Sequence, residues 1–141
     1  HIDTLARFSD SRTILYQGCA DPADPHFEPL RAMAEELRGF RTTNGEPYRL
    51  IELPLPAARY DAEGQRLPAG YANFLILNGA VLMPTYDDLQ DEVALARLRD
   101  CFPDREVVGI PCATLIRQYG SLHCVTMQLP AGVIDPDAIP A

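Results

Sequence analysis

Apolar residues along this chain fall into short strand-like runs, interrupted twice by a helical repeat. Thr13-Ile14-Leu15-Tyr16 is β-branched and aromatic and predicts a strand. His1 to Phe8 predicts a strand before it, and the polar turn Ser9-Asp10-Ser11-Arg12 makes the pair a hairpin. Phe27, Leu30, Met33, Ala34 and Leu37 then recur at three- and four-residue spacing. Glu28, Arg31, Glu35, Glu36 and Arg38 fill the opposite face, as an amphipathic helix requires. Asp24 is a candidate cap for that helix, with Pro25 at its first position and Gly39 as its stop. Tyr48 to Leu53 predicts the next strand.

The same pattern then returns. Tyr71 to Leu77 predicts a strand, Asn78-Gly79 a two-residue hairpin turn and Ala80 to Met83 the return strand. Asp87 or Asp88 would cap a helix carrying Val93, Ala94, Leu95, Leu98 and Cys101, which Pro103-Asp104 ends. Arg105 to Ile110 predicts a final strand. Strand, strand, helix, strand thus occurs twice at an offset of about 65 residues, the mark of one supersecondary unit used repeatedly. A single ββαβ unit cannot bury its own apolar face and must stack on others. The chain reads as one α+β domain over 1–141, with modules over roughly 1–54 and 70–119 and a closing strand over 121–130 that starts a third. A closed ring needs more units, so the expectation is that this is the C-terminal part of a longer protein. Leu55 to Ala69 is a long loop rich in proline and charge, a candidate rim or lid. Ala131 to Ala141 is predicted to lie on the surface.

Charge narrows the partners. The formal net charge is −8, which disfavours nucleic acid and anionic membrane surfaces and suits a cationic small molecule. All twelve basic residues are arginines, which removes lysine Schiff-base chemistry and a lysine P-loop. No apolar run approaches the ~18 residues of a membrane-spanning helix. The four cysteines, Cys19, Cys101, Cys112 and Cys124, show no C-x-x-C spacing, so free thiols in a reducing cytoplasm are expected.

Candidate chemistry lies at the two ends of the chain. His1 and Asp3 are two apart on the predicted strand and would share a face, where a carboxylate can orient an imidazole and raise its pKa. An isolated H-x-D is more often an ordinary polar strand end. Cys124 follows Gly120-Ser121, and on a strand His123 and Cys124 would point to opposite faces, leaving His1 as the better base. A buried structural thiol is the commoner fate of a cysteine. The acidic set Asp87, Asp88, Asp91 and Glu92 fits a helix N-terminal charge bias better than a metal site. Asn73 reads as a structural residue within a strand, and His26 as a surface residue.

Several blocks in order resemble one family. His1-Ile2-Asp3-Thr4-Leu5-Ala6-Arg7-Phe8, Tyr71-Ala72-Asn73-Phe74 with Asn78-Gly79, Pro103 to Ile110, and Gly120-Ser121-Leu122-His123-Cys124-Val125-Thr126-Met127-Gln128 are similar to the motifs of the agmatine deiminase and bacterial-type (Porphyromonas-type) peptidylarginine deiminase family. The resemblance runs from His1 to about Pro130. It implies the pentein fold, a β/α-propeller of five ββαβ modules, of which this chain would hold about two plus closing strands. It implies a guanidine-hydrolysing enzyme without metal or organic cofactor, converting agmatine to N-carbamoylputrescine and ammonia in polyamine metabolism. Cys124 would be the nucleophile, His1 the acid and base, and Asp3 the guanidinium ligand, with Gly120 and Ser121 beside the substrate. The family also draws acidic ligands from earlier modules, so the isolated chain is expected to have an incomplete site and to need the missing N-terminal modules as partners. Self-association into a homo-oligomer is left open.

Peptide arginine is the alternative substrate within the family. From other classes, a non-catalytic propeller fragment and a thiol redox protein using Cys124 with Cys112 are the competing expectations.

Overall fold

The structure, a computed structural model, describes residues 1–130, 132 and 133. A 3₁₀ turn over Ile2–Thr4 opens the chain, followed by strands β1 (Ala6–Asp10) and β2 (Thr13–Gln17), helix α1 (Phe27–Gly39) and strand β3 (Arg49–Leu53). The order repeats with β4 (Leu75–Leu77), β5 (Ala80–Thr85), α2 (Gln90–Cys101) and β6 (Glu106–Pro111). Two further 3₁₀ turns, Leu115–Gln118 and His123–Val125, complete the described elements.

Each unit forms its own three-stranded sheet, in the orders β1-β2-β3 and β4-β5-β6. The first two strands pair antiparallel, and the helix crosses over to bring the third in parallel. Gly79 has φ +80°, the left-handed value that the tight β4–β5 turn requires and that glycine adopts at no steric cost. The α+β class and the twofold ββαβ repeat are therefore as the periodicity predicts.

β2 is buried along its whole length, because its two faces serve different cores. Ile14 and Tyr16 pack against Ala34 and Leu37 of α1. Leu15 points the other way, as strand alternation demands, and joins Leu53 in a larger cluster with Phe74, Val81, Met83, Leu98 and Val107 of the second unit. The two units therefore share one core. Arg97 of α2 fastens them further by donating to the Glu52 carbonyl on β3.

Four expectations need correction. His1–Thr4 is not strand: Thr4 N–H donates to the His1 carbonyl at 3.2 Å and Leu5 N–H to that of Ile2 at 2.9 Å, which closes a turn. Residues 71–74 are buried but irregular, and β4 begins only at Leu75. The reason is that the Tyr71 N–H is taken by the Gln17 Oε1 at 3.0 Å, outside any ladder. The closing strand expected over 121–130 is replaced by the turn at His123–Val125. Finally, the formal N-cap positions are His26 for α1 and Leu89 for α2. Asp24 and Asp88 act just upstream, accepting the His26 N–H at 2.8 Å and the Gln90 N–H at 2.9 Å.

Of the acidic set around the start of α2, Asp88 and Asp91 are engaged in local structure. Asp91 accepts the N–H groups of Tyr86 and Asp88 and the Tyr71 hydroxyl, the last at 2.7 Å. Residues 55–69 form the expected long loop, tied to the start of α1 by a bidentate pair from Arg66 to Asp24 at 2.6 and 2.9 Å. The tail expectation over Ala131–Ala141 lies almost wholly outside the described residues. Among those residues no helix is long and apolar enough to cross a membrane.

Candidate active site

The three chain segments that carry candidate chemistry converge on one carboxylate oxygen. Asp3 Oδ2 lies 2.8 Å from His123 Nδ1, 3.2 Å from Asn73 Nδ2 and 3.8 Å from Cys124 Sγ. A carboxylate oxygen only accepts, so the proton of this contact sits on His123 Nδ1 and leaves Nε2 as the free ring position. Asp3 Oδ1 makes no hydrogen bond among the described residues. Burial pushes the Asp3 carboxyl up, but hydrogen bonds from His123 and Asn73, with the nearby imidazole charge, hold it below the usual carboxylate range.

Asn73 is the buried hub of this cluster, only 1% exposed. Its Nδ2 also donates to the Asp3 backbone carbonyl at 3.0 Å. Its Oδ1 accepts the N–H of His123 at 2.8 Å and that of Cys124 at 3.4 Å, and lies 3.5 Å from Cys124 Sγ. These bonds explain why the His123–Val125 segment turns: donors that a strand would offer to a neighbour are taken by a side chain.

This arrangement corrects the face argument. In a 3₁₀ turn His123 and Cys124 do not alternate across a sheet, and both reach Asp3. His1, by contrast, heads the first turn, is exposed, and its imidazole makes no hydrogen bond among the described residues. The structure thus brings together Asp3 and Cys124 as a pair, adds His123 and Asn73, and leaves His1 at the edge. Both additions were visible as polar residues inside the matching motifs. What hid them was the assumption of strand geometry at residues 71–77 and 121–130.

Gly120 and Ser121 support the turn from below. Both are buried, and Ser121 Oγ lies 2.8 Å from the Tyr86 hydroxyl, which donates to the Gly70 carbonyl at 3.1 Å. The Ser121 side chain is thus engaged in the core. A Cβ at residue 120 would sit 2.9 Å from the Cys124 Cβ, so glycine permits the close approach that brings the thiol into the cluster. Cys124 is exposed, whereas Cys112 is buried and burial pushes its thiol up. Arg7 flanks the site, its guanidinium 5.1 Å over the Phe74 ring and donating to the Phe74 carbonyl at 2.6 Å. Among the described residues no group of three His, Cys, Asp or Glu side chains could hold a metal ion.

The same chain order and architecture occur in known proteins. A crystal structure from Porphyromonas gingivalis, provisionally named an arginine deiminase, is 59% identical with a TM-score of 0.91, covering 94% of this chain and 39% of that one. A cysteine-to-serine variant of the C. jejuni agmatine deiminase, solved with substrate bound, is 43% identical with a TM-score of 0.79, covering 87% and 35%. The agmatine deiminase of Pseudomonas fluorescens is 30% identical over 148 residues, which span 93% of this chain and 40% of that protein. The chain therefore spans about 40% of the length of the curated relatives it matches. The family described as Porphyromonas-type peptidyl-arginine deiminase matches residues 1–130. The chain belongs to that family.

Proposed function

We propose that this chain carries the nucleophile-bearing part of a hydrolase that deiminates a guanidino substrate, with agmatine as the leading candidate. The observation that carries the reading is the convergence of Cys124 Sγ and Asp3 on each other, 3.8 Å apart across 121 residues of chain. A resonance-stabilised guanidinium is a poor electrophile, and a thiolate is the strongest nucleophile a side chain supplies. A carboxylate matches its planar N–H fork, and Asp3 Oδ1 is the oxygen left free for it.

The reaction has two halves, formation and hydrolysis of a thioether. The Cys124 thiolate attacks the guanidinium carbon, and a protonated imidazole gives its proton to the departing nitrogen. Ammonia leaves and an amidino-thioether remains on Cys124. The neutral imidazole then takes a proton from water, whose oxygen attacks the same carbon. Collapse of that adduct expels the Cys124 thiolate and yields the ureido product, N-carbamoylputrescine when the substrate is agmatine. General acid–base help of this kind contributes typically about 10²–10⁴ in rate.

Family resemblance assigns the imidazole to His1. A second assignment, His123, is favoured by the 2.8 Å bond that fixes its tautomer and frees Nε2. Turnover by the His1→Ala and His123→Ala variants separates them: the true acid–base loses activity by orders of magnitude, the other far less. Peptide arginine is the alternative substrate, consistent with the family description. We further propose that the two ββαβ units here are part of a five-unit propeller acting in the cytoplasm, where four free thiols are at home. The acidic ligands completing the guanidinium site would then come from outside these residues. A redox cycle pairing Cys124 with Cys112 is disfavoured by the full burial of Cys112.

The test is ureido-product formation from agmatine, free arginine and an arginine peptide, run on the longest natural form of the protein beside its Cys124→Ala and Cys112→Ala variants. Product from one substrate, lost with Cys124→Ala and retained with Cys112→Ala, is expected. No product from any substrate in a folded protein would overturn the reading.

A further inference from the structure

We propose that the loop over residues 55–69 is a fixed wall beside the thiol, and that the Tyr119–Asp61 contact joining it to the thiol-bearing segment makes it select a small free guanidine over arginine held in a peptide. The substrate part of this statement rests on the guanidino-hydrolase reading above. A connection this long is ordinarily either functional or loose. This one is pinned. Ala57 N–H donates to Asp88 Oδ2 at 2.9 Å, Arg59 donates to the Tyr86 carbonyl, and Leu67 is buried. With the Arg66–Asp24 pair, these ties reach both ββαβ units. Within the loop, residues 60–66 form a small hairpin. Tyr60 and Arg66 bridge antiparallel, and Asp61 N–H donates to the Gln65 carbonyl at 3.0 Å. Asp61 uses its carboxylate oxygens differently. Oδ1 accepts the N–H groups of Glu63 and Gln65 at 3.0 and 2.7 Å and so shapes the tip. Oδ2 accepts the hydroxyl of Tyr119, 58 residues further along the chain.

Tyr119 is an unusual partner. Its φ is +64°, left-handed backbone that a bulky residue rarely adopts. Such a conformation persists only where the surroundings hold it, and here the loop holds the Tyr119 side chain. The hydrogen bond to Asp61 also pushes the Tyr119 hydroxyl up, so it stays a donor at neutral pH. Tyr119 stands directly before Gly120, the residue packed against the Cys124 Cβ. Hairpin tip and sulfur are therefore linked through two residues. The placement bears on what can reach Sγ. Agmatine ends in one ammonium group on an unbranched stem. An arginine in a peptide carries main chain on both sides, which must lie over the rim of the site while the guanidinium reaches the sulfur. A wall tied to the thiol-bearing segment narrows that rim for the peptide and leaves the stem free passage.

The test uses Tyr119→Phe, Asp61→Ala and the double variant in the longest natural form of the protein, with folding checked by circular dichroism. Tyr119→Phe keeps the ring and removes only the hydroxyl. Two ratios are read. One is kcat/KM for an arginine peptide over that for agmatine. The other is the alkylation rate of Cys124 by a polyethylene-glycol maleimide over that by iodoacetamide, resolved by peptide mass spectrometry. In Tyr119→Phe both ratios are expected to rise about tenfold, the order of one hydrogen bond to a charged group. The double variant should rise no further than Asp61→Ala, since both changes break one contact. A purely structural loss would instead lower turnover of small and large substrates alike and leave the ratios in place.

A wild-type preference for the peptide over agmatine would overturn the proposal. So would either ratio unmoved in a folded Tyr119→Phe protein, or additive effects in the double variant. If Tyr119→Phe fails to fold, Asp61→Ala decides on the same terms. If the wild type forms no ureido product from either substrate, the hydrolase reading fails, and the alkylation ratio alone decides whether the wall stands.

Discussion

At the scale of single residues, the site depends on close approaches as much as on reactive groups. Gly120 is the sharpest case. A methyl there would meet the Cys124 Cβ at 2.9 Å, closer than real Cβ contacts allow, and would also meet the Gln118 amide at 2.9 Å. Gly120→Ala is therefore expected to displace the thiol-bearing turn. A displacement of about 1 Å costs on the order of 100-fold in turnover. Turnover and thermal melting of the same variant, measured side by side, check this: activity should collapse while the melting temperature moves by only a few degrees. Asp3 and Cys124 were singled out by residue type, but their guanidinium roles were implied only by the family resemblance, since an isolated carboxylate or thiol is more often structural. His123 and Asn73 were not singled out, because their roles come from a turn whose existence depends on a tertiary hydrogen bond. The His123 N–H reaches the Asn73 Oδ1 across 50 residues of sequence, and no local pattern encodes that.

At the scale of elements, periodicity did well where burial is one-sided and poorly where it is not. α1 and α2 show the expected apolar faces, with Leu30, Ala34 and Leu37 buried in one and Ala94, Leu95 and Leu98 in the other. The Asn78-Gly79 turn and the strands it joins were equally readable, because the left-handed residue and the alternating run agree. Residues 71–74 are apolar enough for a strand, yet they are buried without pairing, and apolar runs cannot distinguish those two states. Leu98, fully buried where α2 meets the core, should lose about 2–5 kcal/mol of stability as Leu98→Ala, measured by urea unfolding. The long loop over residues 55–69 is better anchored than its composition suggests. Hydrogen bonds from Arg66, with burial opposing them, hold the Asp24 carboxyl well below its ordinary value of 3.8. A depressed carboxyl contributes stability that is present above that ordinary value and is lost as pH falls through the folded-state value. Arg66→Ala should therefore cost about 2 kcal/mol at pH 7, with the gap to the wild type narrowing below about pH 4. Parallel denaturation curves at neutral and acid pH measure it.

At the scale of the whole molecule, the two ββαβ units are chemically similar and physically inseparable. Leu15 and Leu53 belong to the first unit by sequence but to the shared core by packing. Leu53→Ala should consequently weaken both units together. Far-UV circular dichroism and the alkylation of the buried Cys112 should report one coincident transition, at a lower denaturant concentration than for the wild type. Two separate transitions would show that the shared core is not cooperative.

The turn at His123–Val125 has a consequence for how this protein is made. Its anchors are Asn73 and Asp3, residues that leave the ribosome long before it does. Until residues 123 and 124 emerge, a nascent chain can collapse around the shared core yet has no thiol in place beside the carboxylate. Synthesis from the N-terminus therefore delays the reactive centre until most of its supporting fold can already exist. The geometry that sets the thiol beside the carboxylate is thus the last part of this site to be acquired.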